Sequence, residues 1–250
     1  MNPTCLITGA SSGIGRELAL YYAAKGWTVY AVARSKDKLD ELSRQAGINA
    51  VSLDLTDDGA VKAAAEQLQT DGVVLDLLLL NAGTCEYVDV ADLDLAAFDR
   101  TFAINFHAVV SSTKYFLPLL QASLTPKLAI VSSMAHFFPF TKAQAYGASK
   151  AATSYFADSL RLDLAGSGIS VHLIEPGFVD TPLTQQNDFP MPMRWPVDKA
   201  AAYIAQRLDQ QPFEIAFPGA FIAILKLLGR LPKGLQVALG ARMARTEAKP

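Results

Sequence analysis

Cysteine is nearly absent. The chain has 2 among 250 residues, Cys5 and Cys85, which excludes a disulfide framework and fits a reducing compartment where both are small buried apolar groups. Histidine is sparse as well: His107, His136 and His172 are scattered without ligand spacing, so they read as structural and no metal site is expected. Neither sign of charge dominates. Lys and Arg total 22 against 24 Asp and Glu, a formal net charge of −2 with a pI near 5.9, and overall charge therefore points to no nucleic-acid partner. No stretch reaches the ~18 uninterrupted apolar residues of a membrane span. The start enters a strand-like run, Thr4 to Thr8, without the basic residues, long apolar core and cleavage site of an export signal; residence in the cytoplasm is the expectation. Internal repeats, low-complexity tracts and linkers are also lacking.

What is present is apolar material, 51% hydrophobic against 18% charged, ample for a substantial core and too apolar for disorder. Residues 1–250 are the size of one large α/β domain. Short branched apolar runs alternate with longer amphipathic ones, the pattern of βαβ units around a parallel sheet. Seven strands are expected, near Thr4 to Thr8, Thr28 to Ala33, Ala50 to Leu53, Leu75 to Leu80, Lys127 to Ser132, Ser170 to Glu175 and Glu214 to Phe217. The longest helices are expected over Leu95 to Leu120 and from Ala143 to about Leu164, the latter stopped by Gly166 and Gly168.

Near the start of that last helix lies Tyr146-Gly147-Ala148-Ser149-Lys150. Residues four apart share one helix face, so a phenol and an ammonium point into one space. A free tyrosine titrates near ~10, and lowering that by roughly 3 units takes about 4 kcal/mol. A cation at ~4 Å, at an effective dielectric of ~20, supplies about that much. The pair is a candidate acid catalyst, and because this spacing arises easily by chance its weight depends on its company.

That company starts at the first loop, Thr8-Gly9-Ala10-Ser11-Ser12-Gly13-Ile14-Gly15, set between a strand and an amphipathic helix. Glycines there permit a tight turn, close approach of backbone to a ligand, and helix N-terminal amides open to an anion, for which a pyrophosphate is the natural occupant. At the end of the second strand a carboxylate would grip the ribose of NAD, but the residues are Val32-Ala33-Arg34-Ser35-Lys36. Arg34 can pair with the extra phosphate of NADP through its planar fork, while Ser35 can cap the next helix. Asp54-Leu55 follows the third strand, where Asp54 either accepts from an adenine amino group or caps the helix beginning at Asp57. Asn81-Ala82-Gly83 ends the fourth strand with small residues that leave room for the cofactor, Asn81 being able to fix neighbouring backbone. Asn105 interrupts an apolar helix face and needs a buried partner, or marks a kink. Ser133 ends the fifth strand at the sheet end where ligands bind, able to hold a carbonyl oxygen. The sixth strand ends in Glu175-Pro176-Gly177-Phe178-Val179-Asp180-Thr181-Pro182, a rigid turn offering backbone groups and Thr181 to a carboxamide.

In order and spacing these residues closely resemble the short-chain dehydrogenase/reductase family in its single-domain form. The likeness runs from residue 4 to about 185, through Thr8 to Gly15, Asn81-Ala82-Gly83, Asn105, Ser133, Tyr146-x-x-x-Lys150 and Pro176-Gly177. It implies a Rossmann-like, doubly wound parallel sheet of seven strands and a catalytic tetrad. On that likeness Tyr146 donates a proton to a carbonyl and Ser133 polarises the same oxygen. Lys150 binds the nicotinamide ribose and depresses the tyrosine pKa, and Asn105 holds a water in a proton relay. The cofactor implied is NADP(H), bound through Gly9, Ser11, Ser12, Gly13, Ile14, Gly15, Arg34, Asp54, Leu55, Asn81 to Gly83, Tyr146, Lys150, Pro176, Gly177, Val179 and Thr181. Leu80 stands where many members carry a second asparagine.

Past the sixth strand the chain departs from the pattern. Residues 182–210 are expected to form a substrate lid and the helix after it, with Phe189, Met191, Met193 and Trp195 among four prolines. Phe137, Phe138 and Phe140 add aromatic wall, so a hydrophobic carbonyl or alcohol substrate is expected, with Phe137 and Phe189 against it; any one of these aromatics can instead be ordinary core. Residues 219–250 form an apolar tail, broken at Pro232, whose Lys226, Arg230, Lys233, Arg242 and Arg245 meet no acid before Glu247. That tail either packs on the body or on a second subunit of a homo-oligomer, or docks peripherally on an anionic bilayer. A non-catalytic NADP(H)-binding sensor or scaffold, possible at such a membrane surface, is the alternative to an enzyme; the complete Asn105, Ser133, Tyr146 and Lys150 set speaks against it.

Overall fold

The computed structural model describes residues 2–187 and 189–242; Arg245 and Glu247, named above for the charge of the tail, lie outside the described residues. Seven strands, β1 (Thr4–Thr8), β2 (Thr28–Ala33), β3 (Ile48–Ser52), β4 (Leu77–Leu80), β5 (Lys127–Val131), β6 (Ser170–Pro176) and β7 (Glu214–Phe217), make one sheet in the order β3-β2-β1-β4-β5-β6-β7. Every pairing is parallel. The helices are α1 (Gly13–Ala24), α2 (Lys36–Leu42), α3 (Asp58–Thr70), α4 (Leu95–Phe102), α5 (Ala108–Gln121), α6 (Gln144–Asp163), α7 (Val197–Asp209), α8 (Gly219–Gly229) and α9 (Lys233–Arg242).

Helices on both faces explain why the central strands are apolar throughout rather than alternating: all four leucines of β4 are buried. Successive residues still divide between the layers. Cys5 and Ile7 of β1 pack with Leu18, Tyr22, Ile204 and Leu208 from α1 and α7, whereas Leu6 packs with Val61, Phe116 and Leu120 from α3 and α5. Because β1 pairs with both β2 and β4, the chain reverses its direction of travel across the sheet at β1. A crevice opens beyond the carboxyl ends of the strands at such a reversal.

Three boundaries differ from expectation by more than one residue. β3 starts two residues earlier, at Ile48. β4 starts at Leu77, since the Leu75 N–H is spent on the Leu119 carbonyl instead of the sheet. The helix expected over Leu95 to Leu120 is two helices joined by a wide π-helical turn, Ala103–His107, with Asn105 at its centre; Pro118 is accommodated inside α5.

The described part of the tail, residues 219–242, packs on the body. Ile222 and Leu225 of α8 are buried with Met134 and Phe138, and Lys226 pairs with Glu214 of β7. Ile224, Leu227, Leu235 and Val237 face outward. Among the described residues no helix is long and apolar enough to cross a membrane, and no group of His, Cys, Asp or Glu is arranged to hold a metal ion.

Candidate functional site

The glycine loop is shaped by contacts only glycine permits. Gly9 has φ +69, and a Cβ on it would lie 2.8 Å from the Ala82 Cα. A Cβ on Gly15 would lie 2.5 Å from both the Gly9 carbonyl oxygen and the Asn81 Nδ2. The loop is therefore pressed against the end of β4, where the Thr8 hydroxyl accepts the N–H groups of Asn81 and Ala82 at 2.9 and 3.1 Å, and Asn81 Nδ2 donates to the Thr8 carbonyl at 3.0 Å. At the head of α1, Ser12 makes no side-chain capping bond and the first turn carries no acid. The helix amides are thus left to an anion, as a dinucleotide pyrophosphate requires.

These elements border a cleft of about 340 Å³. Of the residues expected to bind cofactor, Gly9, Ser11, Ser12, Gly13, Ile14, Arg34, Leu55, Asn81, Ala82, Gly83, Tyr146, Lys150, Pro176, Gly177, Val179 and Thr181 all line it, and so does Ser133. Two do not. Gly15 is a packing glycine between α1 and β4, and the exposed Asp54 turns onto its own loop, accepting the N–H and hydroxyl of Thr56 at 3.0 and 2.8 Å. Those bonds hold its carboxyl below the usual range. Nor does Asp54 cap α3; Asp57 does, accepting the Ala60 N–H at 3.0 Å.

Asn105 is fully buried and fully engaged. Its Oδ1 accepts the Thr84 N–H at 2.8 Å, and its Nδ2 donates to the Thr84 carbonyl and to Ser149 Oγ at 3.0 and 2.9 Å. The Thr153 hydroxyl donates to the Asn105 backbone carbonyl at 2.8 Å. The wide turn and the buried partner, offered as alternatives by the sequence, are both present, and together they clamp the loop after β4 to α6.

Ser133 caps a short 3-10 turn, Met134–His136, its Oγ accepting the Ala135 N–H at 3.2 Å. Tyr146 lines the same cleft as Ser133, whose hydroxyl favours the phenolate form of the tyrosine. One turn along α6, Lys150 is buried with Nζ donating to the Val131 carbonyl at 2.9 Å. The electrostatics run against expectation. Burial pushes the Tyr146 phenol above its ordinary range, Cys85 adding and the Ser133 hydroxyl opposing. Burial also pulls Lys150 down to about 8, with Cys85 opposing. Desolvation favours the neutral form of each group, which opposes the depression of the tyrosine implied by the family resemblance.

A second cleft, of about 390 Å³, shares Ser133, Tyr146, Gly177, Leu183 and Thr184 with the first. Its other walls are mainly apolar: Met134, Phe138, Phe140, Phe178, Phe189, Pro190, Pro192 and Phe221 among them. Phe189, expected at the substrate, lines it, with ring contacts to Phe178 and Tyr87 at 6.0 and 5.8 Å. Phe137 does not. Its neighbours Phe138 and Phe140 occupy the wall, while Phe137 packs with the α8 cluster, 4.9 Å under the Lys226 ammonium. Trp195 of the lid is core, stacked on Phe217 at 5.0 Å. Sequence reasoning missed Cys85, Tyr87, Phe178 and the tail residues Phe221 and Gly240. Of these only Phe178 carried a signal, standing in the turn after Gly177. It also missed a part-buried pair, His136 Nε2 of the 3-10 turn to Glu175 Oε1 of β6 at 2.5 Å.

Comparison with known proteins agrees with this construction. Residues 3–190 match the family model described as short chain dehydrogenase. A Myxococcus xanthus protein described as an uncharacterized oxidoreductase is 33% identical over 96% of this chain and 97% of its own. Among solved structures, a short-chain dehydrogenase from Sphingobium yanoikuyae in complex with NADPH superposes with a TM-score of 0.80 at 26% identity, covering 99% of this chain and 98% of that one. A short chain dehydrogenase/reductase from Burkholderia phymatum in complex with NAD superposes at 0.82 and 20% identity, covering 100% and 97%; at that identity it shows the fold alone. With the family motif, a near-full-length relative and the sheet order in agreement, the chain belongs to the short chain dehydrogenase family and is an oxidoreductase of that type.

Proposed function

We propose that this oxidoreductase uses NADPH to reduce a hydrophobic ketone or aldehyde to its alcohol, or runs the reverse with NADP. The observation that carries the reading is the common wall: Ser133 and Tyr146 border both the cleft built on the glycine loop and the apolar cleft beside it. A carbonyl held at that wall meets a hydroxyl from each residue. When bound, the nicotinamide supplies or takes the hydride. Tyr146, kept protonated by its burial, gives its proton to the carbonyl oxygen, and the Ser133 hydroxyl holds the same oxygen. Lys150, fixed at the Val131 carbonyl, favours the phenolate left behind when it is charged. Asn105 keeps the loop carrying Gly83 in place against α6.

Support for NADPH over NADH comes from Arg34, at the rim of the first cleft with no acid beside it from Val32 to Lys36, and from the NADPH complex of the Sphingobium relative. The test is oxidation of each reduced cofactor with a panel of ketones and aldehydes. Turnover is expected with apolar carbonyls and NADPH. A charge-assisted bond to the 2′-phosphate is worth ~1.5–3 kcal/mol, so Arg34→Ala weakens NADPH about 10- to 100-fold and leaves NADH nearly unchanged. An equal loss for both cofactors contradicts the assignment of Arg34, and no turnover with any carbonyl contradicts the reductase.

A further inference from the structure

The second cleft is closed in part by the tail, and the tail is seated too closely to be an appendage. At the end of α8, a Cβ on Gly229 would come within 2.2 Å of the Phe137 carbonyl oxygen. From α9, the buried Gln236 donates to the Gly229 and Leu231 carbonyls, both at 2.7 Å, tying α9 back to the end of α8. Gly240, one helical turn past Gln236, then borders the cleft next to Phe138 and Pro139, and Phe221 of α8 borders it beside Phe178. Unlike Gly229, Gly240 has room. A Cβ there would meet the Pro139 carbonyl oxygen at 3.7 Å and Phe138 Cε1 at 3.9 Å, ordinary contact distances. Backbone geometry therefore does not demand glycine at 240, which lines the cleft without a side chain.

We infer that α8 and α9 complete a subsite for an extended apolar arm on the carbonyl substrate, and that Gly240 sets the length or bulk of arm admitted. The arm is alkyl or aryl, because Phe138, Phe178 and Phe221 are the surfaces it meets. Each buried methylene adds affinity until the wall at α9 is reached. A larger residue at 240 moves that wall inward. The inference rests on the reductase reading for where the carbonyl sits, but arm binding is measured without turnover.

The experiment uses the full chain and a series of straight-chain methyl ketones from butanone to dodecanone. Affinity is measured by calorimetry in wild type and Gly240→Leu, with far-UV circular dichroism to confirm folding. Wild type is expected to bind dodecanone at least about tenfold more tightly than butanone. Gly240→Leu is expected to lose at least about tenfold for dodecanone while butanone is unchanged. Gly240→Met fills the same space with a flexible chain and repeats the test if the leucine variant does not fold. No preference for the longer ketone in wild type, or unchanged dodecanone affinity in the folded variant, overturns the subsite. Turnover with NADPH is scored separately: its absence with every ketone contradicts the reductase, while the affinities still judge the subsite.

Discussion

Lys150 is a cation held almost out of water. Burial is the main cause that holds its pKa at about 8, below the ordinary lysine value of 10.5. In that window the unfolded chain keeps the proton that the folded chain has lost. Stability therefore rises with pH between those values and is flat with respect to this group below them. The slope is at most about 1.4 kcal/mol per pH unit. Urea unfolding of wild type and Lys150→Met across this range should show wild type gaining on the variant as pH climbs from about 8 toward 10.5. Parallel curves would contradict the burial argument. The Tyr146 and Lys150 pairing was legible because a four-residue spacing fixes which side chains share a helix face. The direction of their pKa shifts was not, because it depends on depth of burial, which is not written in the spacing.

Among the elements, the tail makes the most specific mechanical claim. A methyl at Gly229 would collide with a backbone carbonyl, which cannot rotate aside as a side chain can. Gly229→Ala should therefore cost about 1–3 kcal/mol, the range for forcing extra volume into a packed site, and lower the melting temperature in calorimetry; an unchanged melting temperature would show that α8 does not seat as described. The sequence showed where α8 and α9 break, since proline cannot continue a helix, but not the face on which they dock. Apolar periodicity similarly made one helix of Leu95 to Leu120. The π-helical turn at Asn105 preserves the pattern of buried positions on either side, so its break is invisible to periodicity, although the polar residue within an apolar face marked the place. The cap alternative for Asp54 failed for a related reason: Asp54 and Asp57 are equally good caps by composition, and only the chain path decides which one faces the amides of α3.

At the scale of the molecule, the alternation of apolar runs was sufficient for all seven strands, because a sheet covered on both faces leaves each strand a short apolar block between amphipathic helices. The lining of the first cleft was legible because it is built from loops at strand ends, whose order in the chain maps onto the rim of the sheet. The substrate side was not, because it is assembled from distant segments, the 3-10 turn, the lid and the tail, that meet only through tertiary packing. What joins the two sides is the wall of Ser133 and Tyr146. The phenol is the group assigned to move the proton, and Tyr146→Phe removes its hydroxyl while keeping the ring that lines both clefts. Measured together, NADPH binding should stay near the wild-type value while turnover of an apolar ketone falls by about 100-fold or more; turnover retained in that variant would contradict the assignment of Tyr146 as the proton donor.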